Sequence, residues 1–161
     1  MSTSDAAEAM IVSRFVDAAP EDVFALLREP TRHQDTEPSD WVRDAIDTAP
    51  LTEVGQIFGM NMYLDKADGH YVVHNRVSGI VPDSEIAWLP GEIDDAGRHR
   101  PGGWEWRYRL QPEAGGTRVT LIYDWSRTPE PVRAEIGGMP PFGPEFLEKS
   151  LAALDAALTA S

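Results

Sequence analysis

The chain has 161 residues, 42% hydrophobic and 25% charged, with 27 acidic residues against 14 basic ones and a formal net charge of -13. A chain of this length buries roughly two-thirds of its unfolded surface as one domain, and its composition excludes disordered, collagen-like and membrane-spanning classes. The acidic surplus repels phosphate backbones and anionic bilayer surfaces, so nucleic acid is not expected, and no run approaches the ~18 apolar residues of a membrane span, so integral membrane association is not expected either; the absence of cysteine removes disulfides, thiolate metal sites and thiol nucleophiles, and fits a reducing compartment.

The opening Met1 to Ala9 is polar and acidic, without the basic start or apolar core of a signal peptide. It is read as the frayed tail of a single cytoplasmic domain covering residues 1–161. Met10 to Asp17 carries Ile11, Val12, Phe15 and Val16 and predicts a first strand. Pro20 at a first helical position, with Glu21 and Asp22 in the first turn, predicts a helix whose Val23, Phe24 and Leu27 share a face and which Pro30 ends. Thr31 to Ser39 is polar, and Ser39-Asp40 predicts the cap of a second short helix carrying Trp41, Val42 and Ala45. Beyond Pro50 the pattern changes to strands: Gln56 to Leu64 and Tyr71 to Val81 around a turn at Asp68-Gly69, then Ser84 to Leu89. A loop from Pro90 to Gly103 follows, and strands Trp104 to Gln111 and Thr117 to Ser126 flank Gly115-Gly116. A Pro/Gly-rich stretch after Arg127 leads into a helix from Pro144 to Ala160, where Leu147, Leu151, Leu154 and Leu158 make an apolar stripe. At ~1.5 Å per residue this helix spans ~24 Å, enough to lie across a sheet whose final strand is ~34 Å long. The expected class is α+β: a curved antiparallel sheet wrapped around a long C-terminal helix, with two short helices after the first strand.

That order, with the stretches Ser13-Arg14-Phe15-Val16-Asp17-Ala18-Ala19-Pro20-Glu21-Asp22-Val23-Phe24, Gly103-Trp104-Glu105-Trp106-Arg107-Tyr108 and Gly116-Thr117-Arg118-Val119-Thr120, resembles the polyketide cyclase/dehydrase branch of the START-like (Bet v 1-like, SRPBCC) superfamily over roughly Ile11 to Leu158. The resemblance implies a helix-grip fold with an internal cavity. It does not imply one activity, because the superfamily holds lipid and sterol carriers, ubiquinone-binding proteins, hormone receptors, aromatase/cyclases and co-chaperones. No catalytic position of the cyclases can be matched to a residue here. The basic residues are Arg apart from Lys66 and Lys149, which points to a GC-rich bacterial genome.

Strand alternation places Trp104, Trp106, Tyr108 and Leu110 on one face, with Glu105, Arg107 and Arg109 on the other. The same pattern groups Val119, Leu121, Tyr123 and Trp125 on the last strand, Ile86 with Trp88, and Phe58 with Met60 and Met62. These sets are expected to face the helical Leu147, Leu151 and Leu154. Flat rings and pliable thioethers suit a pocket for a hydrophobic guest, although aromatic stripes also fill ordinary cores. The polar candidates for orienting a guest are Asn61 and Tyr63, His74 and Asn75, Tyr108, Tyr123, and His33 near the mouth. The Met60 and Met62 face is expected to point inward in preference to Asn61 and Tyr63.

His70 and His74 would sit ~13 Å apart on a strand, too far to share a metal. His33 and His99 fall in segments read as loops, where a solvated histidine is the expectation. Glu92-Ile93-Asp94-Asp95 lacks the spacing of a calcium loop and reads as a solvated turn. The glycine pairs form no phosphate-binding pattern and no Gly-x-Ser-x-Gly elbow is present, so neither metal nor cofactor is expected. Proton shuttling by His74, Tyr108, Tyr123 or Asp124 is the chemistry a buried cavity would allow, though Asp124 is expected to point outward and pair with an Arg. The leading reading is a binding or carrier protein for a lipid, isoprenoid or polyketide-like molecule; the alternatives are a cofactor-independent polyketide aromatase/cyclase or dehydratase, and an interaction module resembling the Hsp90-ATPase activator branch. Nothing in the sequence indicates a homodimer.

Overall fold

The computed structural model describes residues 8–37, 39, 41–64 and 69–159. The strands are β1 (Ala9–Val16), β2 (Val42–Ala45), β3 (Ile57–Leu64), β4 (Gly69–Val81), β5 (Glu85–Ile93), β6 (His99–Pro101), β7 (Glu105–Glu113) and β8 (Gly116–Asp124). They form one antiparallel sheet in the order β1-β8-β7-β5-β4-β3-β2, with β6 added beside the end of β5. Helix α1 (Pro20–Leu27) and a 3-10 helix (Pro30–Thr36) follow β1; α2 (Glu130–Ile136) and α3 (Pro144–Thr159) follow β8.

Alternation along the strands sorts the two faces as the side-chain period of two requires. Inward positions Phe58, Met60, Val77, Ile86, Tyr108, Leu110, Val119, Leu121 and Tyr123 are all buried, and Leu147, Leu151 and Leu154 of α3 meet them with no exposed surface. Each fully buried leucine contributes roughly 1.5–3 kcal/mol, so this stripe is the main reason the last helix stays on the sheet. The outer face carries charge: Arg107 pairs with Glu85 and Glu105, Arg109 pairs with Glu85, and Ser78 donates to Glu105 at 2.7 Å.

The segment Ser39 to Ala45 departs from the helix expected there. Val42–Ala45 is instead an edge strand on β3, pairing Val42 with Met62 and Ala45 with Met60. A β-branched residue beside an open strand edge gains ladder hydrogen bonds that an isolated turn of helix would not supply. The second helix lies earlier, where Pro30 starts the 3-10 turn and suits a first position because it has no N–H to satisfy. Asp40 and the Asp68 side of the β3–β4 turn lie outside the described residues, as do Met1 to Ala7 and Ala160.

The segment from Pro90 to Gly103 is also more regular than a loop. β5 runs on to Ile93 and returns as β6, around a turn in which the Asp94 carboxylate accepts from the Ala96 and Arg98 N–H groups at 2.9 Å. The Pro/Gly-rich stretch contains α2, with Pro131 tolerated in its first turn and Gly137 closing it at φ 95°. Arg133 pins α2 through hydrogen bonds to the Thr128 and Trp125 carbonyl oxygens and an ion pair with Glu8.

Candidate functional site: a cavity beside the gripped helix

Between the sheet and the Phe146–Ser150 turn of α3 lies a cavity of about 150 Å³. Its apolar wall comes from Met60 and Met62 of β3, Val73 of β4, Trp88 of β5, and Trp104, Trp106 and Tyr108 at and within β7. Trp41, Tyr71, Trp104 and Phe146 at its rim are only half-buried. The sheet itself makes the space: β6 and β7 flank the same side of β5, and Trp104 sits in the break between them. Gly103 brings the chain into that break at φ 108°, where an added Cβ would stand 2.5 Å from the Thr128 Cα. Only glycine fits such a backbone approach.

One end of the cavity is polar. The His33 ring lies flat on Trp88 with centroids 4.8 Å apart, and meets Phe58 edge-on at 5.5 Å. Its Nε2 donates to the Leu27 carbonyl oxygen at 2.8 Å. Burial lowers its pKa to about 4, so the ring is neutral at physiological pH. The Thr36 hydroxyl donates to the His33 carbonyl oxygen at 2.8 Å, and the Ser150 hydroxyl donates to the Thr36 carbonyl oxygen at 2.7 Å. The buried Tyr108 hydroxyl lies at the same end, in hydrogen-bond contact with the Thr36 and Ser150 hydroxyls. Burial raises the Tyr108 pKa, and those two hydroxyls offset the rise in part. Asn75 lines the wall on β4, opposite Phe58 on one side and Pro90 on the other. At the rim the Trp41 indole N–H donates to the Tyr71 oxygen at 2.6 Å, and Glu37 accepts from the Trp41 backbone N–H at 3.0 Å. Among the described residues, Glu37 is the one charged residue in the lining.

The structure brings Met60, Met62, Asn75, Trp88, Trp104, Trp106 and Tyr108 together around the cavity. Of the other expected wall residues, Phe58, Leu147, Leu151 and Leu154 belong to the close-packed core beneath it. Tyr123 and Trp125 do not line it either: Phe142 packs on Tyr123 at 4.9 Å and Trp106 on the same ring at 4.5 Å, while Trp125 is buried beside Tyr123 at 5.8 Å, ring to ring. Phe142 then stacks on Phe146 at 4.6 Å, closing that side with aromatic packing. The Met60 and Met62 side chains are buried whereas Asn61 and Tyr63 are on the more open face.

His33 is the largest revision of the expected site. It is buried, not a solvated loop histidine, because the 3-10 helix turns it under Trp88. His99 is held too, its ring Nε2 lying 2.7 Å from the His74 carbonyl oxygen. His74 takes the outer face, since its neighbour Asn75 takes the inner one. Asp124 also faces out, but it accepts from the Ser126 N–H and hydroxyl instead of an arginine. Apart from His33, expected near the mouth, the 3-10 helix was absent from the expected walls, as was Trp41. For Phe146 and Ser150 the signal was present, since an i, i+4 pair lies on one helix face beside the leucine stripe.

Among the described residues, no group of three or more His, Asp or Glu side chains could hold a metal ion, and no helix is long and apolar enough to cross a membrane.

A strand, two short helical turns, a curled antiparallel meander and a long helix gripped by its inner face define a helix-grip α+β fold. No protein-family model matches the chain, and no curated protein matches it. Solved structures do. A structural-genomics protein from Chromobacterium violaceum is similar with a TM-score of 0.68 at 19% identity, over 96% of this chain and 99% of that one. The major latex-like protein 151 of Panax ginseng gives a TM-score of 0.64 at 14% identity, over 94% and 97% of the two chains. The Aha1 dimer from Colwellia psychrerythraea gives 0.59 at 14% identity, over 94% and 96%. At these identities the likeness is one of fold.

Proposed function

We propose that this protein binds a small, uncharged, apolar molecule of about one ring in the cavity beside Trp88. The observation that carries the reading is the cavity's size and lining together: about 150 Å³, walled by thioethers and indoles, with polar groups gathered at one end. An apolar cavity of that size accommodates a benzene-sized guest, whereas drug-sized ligands occupy roughly 300–1,000 Å³. A sterol, a long lipid or a folded polyketide would have to protrude past Trp41 and Phe146. The guest class is therefore smaller than the sequence suggests.

Binding is better supported than cyclisation. A histidine whose pKa lies at about 4 is a weak base at neutral pH, and burial makes the Tyr108 hydroxyl a weaker acid than a free phenol. An interaction module working through its outer surface would call for a filled interior, and gives no reason for a lined cavity.

The test is a titration of the protein's intrinsic tryptophan fluorescence, since Trp41, Trp88, Trp104 and Trp106 all border the cavity. Toluene should produce a saturable change, and a long-chain fatty acid should not compete with it. A signal that stays linear up to the solubility limit of toluene would sink the reading.

A further inference from the structure

Two polar groups in the cavity wall have no hydrogen-bond partner among the described residues. His33 is 6% exposed, and because a carbonyl oxygen only accepts, the Nε2 contact with Leu27 fixes the hydrogen on Nε2 and leaves Nδ1 as a bare lone pair. No hydrogen bond reaches that nitrogen among the described residues. Asn75 is 5% exposed, and its carboxamide makes no hydrogen bond among the described residues. Its neighbours across the sheet are Phe58 and Pro90, whose side chains offer neither donor nor acceptor. The Phe58 ring links the two groups, meeting His33 at 5.5 Å and standing opposite Asn75. Buried polar groups are nearly always paired. A pair left open on the wall of one cavity is the complement of something that enters it.

We infer that the guest is a neutral ring carrying a hydrogen-bond donor, a phenol in its simplest form, whose hydroxyl donates to His33 Nδ1 while its oxygen accepts from the Asn75 amide. The inference rests on the cavity being a binding site and names the chemistry of its occupant. It also says what is refused. A carboxylate or phenolate would turn lone pairs toward Nδ1, and among the described residues the lining holds no lysine or arginine to compensate, only Glu37. A plain hydrocarbon would fill the volume but leave both polar groups unpaired, which makes hydroxyl-bearing rings the preferred guests.

The experiment is calorimetric titration of p-cresol, 4-methylanisole and toluene into the wild type, His33→Phe and Asn75→Leu. In the wild type p-cresol should bind about tenfold more tightly than toluene, and 4-methylanisole, which cannot donate, should fall near toluene. The gap between p-cresol and toluene should shrink to about twofold in either variant. Equal affinities for all three probes in the wild type would overturn the inference while leaving the binding reading intact. So would a preference for p-cresol that survives both substitutions. If none of the three binds, both fall. Should His33→Phe not fold, the wild-type comparison of p-cresol with its methyl ether and the Asn75→Leu variant still decide.

Discussion

The Ser150 hydroxyl on α3 donates to the Thr36 carbonyl oxygen at 2.7 Å, joining residues 114 positions apart in the chain. This bond clamps the 3-10 helix to the gripped helix, and through the Thr36 hydroxyl it fixes the backbone that carries His33. The floor of the cavity is thus tied to α3 by hydrogen bonds as well as by leucines. Ser150→Ala leaves a buried carbonyl oxygen without its donor and should cost about 1–3 kcal/mol in urea unfolding. It should also weaken guest binding, because His33 loses its anchorage; unchanged stability and unchanged binding would show the clamp to be incidental.

Burial of neutral His33 makes stability depend on pH. Its folded pKa of about 4 lies below its ordinary value of 6.5, so between those values the unfolded chain binds the extra proton. The contribution is complete above the unfolded value and is lost as pH falls toward the folded one. In full it is on the order of 3 kcal/mol. Between pH 7.5 and 5.0 the wild type should lose about 2 kcal/mol more than His33→Phe, measured by urea titration at each pH. Parallel losses in the two proteins would mean that the ring is solvated.

Met60 sets the depth of the cavity on the β3 side, where it is only 2% exposed. Met60→Ala should cost about 2–5 kcal/mol, toward the low end because the site already borders open space. The enlarged cavity should shift preference from toluene toward naphthalene. Chemical denaturation and competition between the two hydrocarbons measure both effects, and a variant that still rejects naphthalene would place Met60 outside the binding space.

The inner face of the sheet could be read from the sequence because it follows a period of two. Trp104, Trp106 and Tyr108 alternate with charged residues, and Met60 and Met62 alternate with polar ones. Alternation assigns a face but not whether that stretch of the face is covered, so it could not separate Tyr123, covered by Phe142, and Trp125 beside it from Trp88 and Trp106, which border space. The helical side of the site was harder. The 3-10 helix has no apolar period to reveal it, and His33 is buried by tertiary packing on Trp88 rather than by any pattern in Pro30–Thr36. Trp41 was misplaced because a capping pair before it suggested a helix, whereas the open edge of β3 drew Val42–Ala45 into the sheet.

A single ring is thus expected in the cavity inside the Trp41 and Phe146 rim, with its hydroxyl at the His33 end. A crystal structure of the protein grown with 4-bromophenol tests it most directly, because the bromine's anomalous signal locates the guest independently of any fitted density. One strong peak is expected inside the cavity, with the phenol oxygen within hydrogen-bond distance of His33 Nδ1. Peaks confined to the outer surface, with the cavity empty or filled by ordered water, would contradict it.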